Sequence, residues 1–214
     1  MTATLAVVPL RSPGEGKTRL AATLSQPERA GLAAAMLADV LAALADSPVD
    51  RVVVAASGPG GAELAARLGA QVVIDPPGVA SLDAAIAAAA QRLAPVTALL
   101  VVMADLPCLT ARDVSRLLAV EAMVGLAPTE DGGTGGLLRR PASAMPTAFG
   151  PASAARHAAL AAASGSPLEL VHRPGFARDL DTPQDLAGLG RWPLGAATRA
   201  WHARYTPGSV ALRG

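Results

Sequence analysis

The sequence predicts an α/β fold: a single domain with a mostly parallel central sheet flanked by helices. Two observations carry that prediction. Short apolar runs of strand length alternate with longer stretches whose apolar residues recur at helical spacing, the pattern of strands joined by right-handed helical crossovers. The segments that follow the apolar runs are rich in Gly, Pro, Asp and Arg, as expected where a sheet of this kind binds ligands at the carboxyl ends of its strands. No repeat and no linker divides the 214 residues, a length that one domain accommodates.

Leu5 to Val8 reads as the first strand. A Gly/Pro loop from Arg11 to Lys17 follows, and Thr18 opens a helix. Pro27 to Leu44 is a long amphipathic helix, with Pro in its first turn and Leu32, Met36, Leu37, Val40, Leu41 and Leu44 on one face. Arg51 to Ala55 and Gln71 to Ile74 are strands around a helix from Ala62 to Leu68. Leu82 to Leu93 is an alanine-rich helix. Ala98 to Met103 is the most apolar run, the mark of a central strand covered on both faces. A helix from Ala111 to Val120 and a strand from Met123 to Ala127 precede a glycine-rich loop, Asp131 to Gly136. Leu137 to Arg139 is a short strand, Ser153 to Ala163 a helix, Leu168 to His172 a strand and Pro183 to Leu189 a last helix. Residues 1–190 form the domain, and 191–214 form a Gly/Pro-interrupted tail packed on it.

Composition excludes several classes. Hydrophobic residues are 51% and charged residues 16%, which excludes a disordered chain. Aromatics are 2%, so the core is built of Ala, Leu and Val. The lone Cys108 rules out a disulfide framework or zinc ribbon and reads as a small buried hydrophobe. The formal charge is +1, without a basic run, so no nucleic-acid surface is expected. Neither a signal peptide nor a membrane span is visible, and a cytoplasmic protein is expected. Lys17 is the only lysine and asparagine is absent, the amino-acid usage of a GC-rich genome.

Five segments carry polar chemistry. The loop Arg11-Ser-Pro-Gly-Glu-Gly-Lys17-Thr18-Arg19 follows the first strand and opens a helix. Gly14 and Gly16 let backbone N–H groups face an anion, and Lys17 and Arg19 add charge where a polyphosphate would lie. The spacing fits neither a Walker A loop nor a dinucleotide fingerprint, and a solvated, capped loop is the plain alternative. Asp105 follows the apolar strand at a Leu-Pro turn, so it is either an Asx turn or a ligand for a hard cation. Asp179 and Asp181, two apart in an extended segment, point the same way and repel unless a cation joins them. Otherwise Asp181 caps the helix at Pro183. The run Gly132-Gly133-Thr134-Gly135-Gly136 allows close approach of a ligand or makes a flexible hairpin. Ser153, after Phe149-Gly150, is expected to cap a helix whose N-terminus suits an anion, with His157 one turn inside as a structural residue. No nucleophile elbow, HExxH or CxxC is present. The parts suit metal-assisted phosphoryl or nucleotidyl transfer, in which charge neutralisation and positioning supply the rate.

KTRL after a first strand, then ADLP, DGGT, FG-x-x-S-x-x-x-H and D-x-DTP-x-DL, in this order over residues 4 to 190, resemble the phospholactate/phosphoenolpyruvate guanylyltransferases of coenzyme F-420 biosynthesis. The resemblance implies a Rossmann-like nucleotidyltransferase fold and a reaction that joins GMP from GTP to a three-carbon phospho-acid, with pyrophosphate leaving. Phosphoenolpyruvate is the favoured acid, beside 2-phospho-L-lactate and 3-phosphoglycerate. It implies Mg²⁺ held by Asp105, Asp179 and Asp181, and Lys17 and Arg19 on the triphosphate. Arg11, Thr134, Gly150 and Ser153 are implied on the acceptor, and Pro9, Gly14, Gly16 and Asp83 on the nucleotide. A downstream transferase that takes the activated product is implied as well. Three positions depart from the family pattern: Arg11 replaces a lysine, Asp83 an asparagine, and Gly135 an Asn or Thr. A molybdopterin-type or sugar nucleotidyltransferase and a non-catalytic nucleotide-binding paralogue are the competing readings.

Overall fold

The computed structural model describes residues 3–11, 17–76, 78, 81–93 and 95–205. Its strands are β1 (Thr4–Leu10), β2 (Arg51–Ala56), β3 (Gln71–Ile74), β4 (Ala98–Val102), β5 (Val124–Pro128), β6 (Thr134–Arg139) and β7 (Leu168–Leu170). They form one sheet in the order β3-β2-β1-β4-β6-β5-β7, with β6 the antiparallel member. β1 pairs in parallel with β2 on one side and with β4 on the other, so the carboxyl ends of the three meet at one edge.

Side-chain alternation divides the core. Ala6, Val8, Leu100 and Val102 face α1 (Gln26–Ala45), α2 (Pro59–Arg67) and α4 (Ala111–Leu118). Leu5, Val7, Leu99 and Val101 face α3 (Leu82–Arg92) and α5 (Ser153–Ala163). Every residue of β1 and β4 is buried, as their continuous apolar runs require of strands covered on both faces. A third apolar cluster lies outside these layers. Leu20, Leu24, Leu32, Met36, Leu180, Leu186 and Leu189 pack together there, with Trp192 and Trp201 against them.

Four local readings are corrected. The helix expected at Thr18 is a single 3-10 turn, Thr18–Leu20. The glycine-rich segment is a loop only to Gly133, because Thr134 already begins β6. A Cβ at Gly135 would stand 2.4 Å from the Phe176 carbonyl oxygen, so this strand must be bare to let that backbone approach. Phe176 lies in α6 (Pro174–Ala177), a short helix the sequence does not announce; α7 (Pro183–Gly188) follows it. Beyond residue 191 the chain also forms α8 (Ala196–Arg204), which packs on α1. Its first N–H groups are capped from far away: Ala197 and Thr198 donate to the Asp39 carboxylate at 2.9 and 2.8 Å.

Candidate active site

The apolar residues that neighbour each polar one decide where the polar one points. Leu180 is fully buried in the third cluster, so its neighbours Asp179 and Asp181 turn the other way, towards the strand ends. Leu106, also fully buried, anchors the turn that carries Asp105. The Leu180 N–H donates to the Asp105 carbonyl at 3.3 Å, tying the two acidic segments together. Leu20 seats the 3-10 turn on the same third cluster, which brings Lys17 across to the carboxylates.

Lys17 is the centre of this arrangement. Its Nζ donates to Asp105 Oδ2 at 2.6 Å and to Asp181 Oδ1 at 2.5 Å, with only a tenth of its side chain exposed. Burial alone would lower its pKa, but the two carboxylates outweigh it and hold the ammonium above its ordinary value. Its backbone lies in the left-handed region at φ 57°, a strained conformation for a non-glycine residue that concentrates at functional sites. Asp105 is therefore spent on an ion pair; Thr110 caps the helix that follows it. Asp181 is not the cap of α7 either, since Thr182 fills that role in a capping box with Asp185.

Asp179 is the carboxylate this site strains most. Burial, then the charges of Asp105, Asp131 and Asp181, push its pKa up to about 7. Among the described residues, no three acidic side chains converge as a ready metal-ligand group. Lys17 instead supplies the positive charge between two of them. The donor set is all carboxylate oxygen, the chemistry of a hard cation.

Asp131 is a member the sequence reading passed over as part of the glycine-rich loop. Its Oδ1 accepts from the Thr129 hydroxyl and from the Gly133 N–H, and the Thr129 bond above all lowers its pKa. Arg19, exposed on the 3-10 turn, adds to that lowering. Arg11 is exposed at the end of β1, and Pro9 is buried inside that strand. Gly14 and Gly16 lie outside the described residues.

A second polar group sits beside the first, at the start of β6. Thr134 follows the β5–β6 turn at the edge where β4 ends, since Gly136 pairs with Val102. Its hydroxyl is buried and meets the Ser153 hydroxyl at 3.0 Å and His157 Nδ1 at 3.0 Å. Ser153 thus does not cap α5. The cap position is Ala152, in the left-handed region at φ 52° and with no polar side chain to cap the helix, and the serine hydroxyl turns inward to Thr134. Gly150, at φ 113°, makes the bend before it. Asp83, at the start of α3, accepts from the Phe149 N–H at 3.1 Å and ties α3 to this bend. Burial pushes the Cys108 thiol up to about 11, so it is an inert apolar residue.

The layered α/β sheet, at whose strand ends a lysine is drawn between carboxylates, has a fold that known nucleotidyltransferases share. A nucleotidyl transferase from Methanothermobacter thermautotrophicus has this fold, with a TM-score of 0.63 and 15% identity over 88% of this chain and 96% of its own. The chain belongs to the guanylyl transferase CofC-like family, whose sequence profile matches residues 4–198. It is 40% identical to the phosphoenolpyruvate guanylyltransferase of Sphaerobacter thermophilus, covering 91% of this chain and 97% of that one. It is also 39% identical to the 3-phospho-D-glycerate guanylyltransferase of Phenylobacterium zucineum, covering 90% and 92%. No helix among the described residues is long and apolar enough to cross a membrane.

Proposed function

We propose that this chain transfers the guanylyl group of GTP to the phosphate of phosphoenolpyruvate. An acceptor phosphate oxygen forms a bond to the α-phosphorus while the bond from that phosphorus to the β-phosphate bridge breaks, and pyrophosphate leaves. The observation that supports this reading best is the Lys17 ammonium held between Asp105 and Asp181 at the strand ends. Two polyanions must meet for this reaction, and their repulsion is the main obstacle.

In this reading Lys17 and Arg19 bind the triphosphate, and Lys17 leaves its carboxylates to do so. Asp105, Asp179 and Asp181 would hold Mg²⁺, which when bound neutralises phosphate charge and polarises the α-phosphorus. Thr134, Gly150, Ser153 and Arg11 hold the phospho-acid. Pro9, Gly14, Gly16 and Asp83 line the nucleotide. The guanidinium of Arg11 keeps the charge of the lysine it replaces and can grip a carboxylate with two bonds. The described part of the C-terminal segment, to residue 205, belongs to the same unit as residues 1–190. The enzyme works in the cytoplasm, in coenzyme F-420 biosynthesis, and passes its product to a transferase that consumes the new diphosphate.

The test is pyrophosphate release with GTP and Mg²⁺. Phosphoenolpyruvate, 2-phospho-L-lactate and 3-phosphoglycerate are supplied separately, with ATP and CTP as controls. Pyrophosphatase and the consuming transferase are added to draw off an unfavourable equilibrium. Release with GTP and phosphoenolpyruvate is expected. Release with another acid alone would change the acceptor, and release with CTP alone would refute the nucleotide assignment.

A further inference from the structure

Proton counting around the Thr134–Ser153 pair gives His157 a task. His157 is fully buried in α5. The Ala148 N–H donates to its Nε2 at 2.9 Å. A backbone N–H can only donate, so Nε2 carries no proton. Burial above all pushes the ring down to a pKa of about 4, so it is neutral at physiological pH. The single ring proton therefore sits on Nδ1, which faces Thr134 Oγ1 at 3.0 Å. The imidazole donates there.

Thr134 and Ser153 own two hydroxyl protons between them. One is used in their mutual bond at 3.0 Å. The other has no acceptor among the described residues, since His157 offers the pair a proton rather than a lone pair. Were the ring the other tautomer, Nδ1 would accept, both hydroxyl protons would be consumed, and the pair would show only lone pairs. Buried hydroxyls in this condition call for an external acceptor. An anionic oxygen is the strongest one available.

We propose that His157 is a positioning residue: by donating from Nδ1 to Thr134 it leaves the Thr134–Ser153 pair with one surplus hydroxyl proton aimed at a phosphate or carboxylate oxygen of the acceptor. This rests on the acceptor-site reading above. The residues around the ring suit the role. Phe149 packs edge-on against it at 4.8 Å between ring centroids, and Asp83 fixes the Phe149 backbone, so the bend that carries Ala148 is held from two sides. Asp83 thereby supports the same hydroxyl pair through the loop.

The first test needs no turnover. Nitrogen-15 NMR of the wild-type protein should show His157 as the Nδ1–H tautomer, and the Nδ1 proton should shift when inorganic phosphate is titrated in. An Nε2–H tautomer, or no response to phosphate, overturns the proposal. The second test is kinetic. His157→Leu should raise KM for the phospho-acid at least about tenfold, the cost of mis-set hydrogen bonds to a charged group. KM for GTP should stay within about twofold. His157→Asn, which keeps a donor at the Nδ1 position, should recover most of the loss. A leucine variant that moves both KM values equally, or an asparagine variant no better than leucine, overturns the positioning role. A wild type silent with every acid sinks the functional reading instead, and the tautomer and phosphate measurements still decide for or against the hydroxyl network.

Discussion

Asp179→Asn should make the ligand-free protein more stable while destroying its activity. The Asp179 pKa stands at about 7 against an ordinary 3.8, because burial and three neighbouring carboxylates penalise its charge. Between these two values the folded state binds a proton that the unfolded state has lost, so stability falls as pH rises across that window. The penalty is absent below the unfolded value and complete above about pH 7. Three pKa units correspond to a ceiling of about 4 kcal/mol. The side chain is only partly buried, and solvent screening reduces this to roughly 1–2 kcal/mol. At pH 8 the asparagine variant should therefore melt about 2–8 °C above the wild type. At pH 4 the two should melt together. Adding Mg²⁺ at pH 8 should raise the wild-type Tm more than that of the variant, because a bound cation relieves the same repulsion. The assay is a pair of thermal melts with and without EDTA. A variant less stable than wild type at pH 8, or equally shifted at both pH values, would refute the electrostatic account of this site.

Other substitutions probe separate parts. Gly135→Ala drives a Cβ against the Phe176 carbonyl, so it should cost roughly 1–3 kcal/mol in urea unfolding; an unchanged midpoint would show that the α6 backbone yields freely. Lys17→Met leaves Asp105 and Asp181 facing one another without their cation. It should raise KM for GTP at least about tenfold and make the apo protein's melting temperature unusually sensitive to Mg²⁺; a normal GTP response would remove Lys17 from the triphosphate. Asp39→Ala strips the cap from α8 and should cost about 1–2 kcal/mol. Hydrogen exchange at Ala197 and Thr198 should accelerate first, and unchanged protection there would deny the cap its role.

What was legible in the sequence was local. The buried runs of β1 and β4 and the amphipathic face of α1 each announce themselves within their own windows. Asp105 stands just past the end of β4, as its apolar run announces, and an apolar anchor such as Leu180 orients the carboxylates beside it. What was not legible depends on distant partners. α8 has weak apolar periodicity, and its cap, Asp39, lies in α1 far back along the chain. The glycines at 135 and 136 read as a loop, yet they belong to a strand thinned for Phe176, a contact no short window contains. Ser153 stands where a cap is common, and only its bond to Thr134 shows that the hydroxyl faces inward. His157 reads as structural from its place one turn inside a helix, and the structure buries it there; its bond from the Ala148 N–H, a backbone group with no signature in the sequence, is visible only in the fold.

In the proposed function the carboxylates gathered around Lys17 are the reacting centre of a guanylyl transfer. Asp105→Asn tests it most directly. The substitution keeps the shape of the side chain and leaves Lys17 its second partner, Asp181. Turnover with GTP and phosphoenolpyruvate should fall at least about 100-fold. The melting temperature should stay within about 3 °C of wild type. Activity within tenfold of wild type, in a protein equally stable, would contradict the account and move the reacting centre away from Asp105.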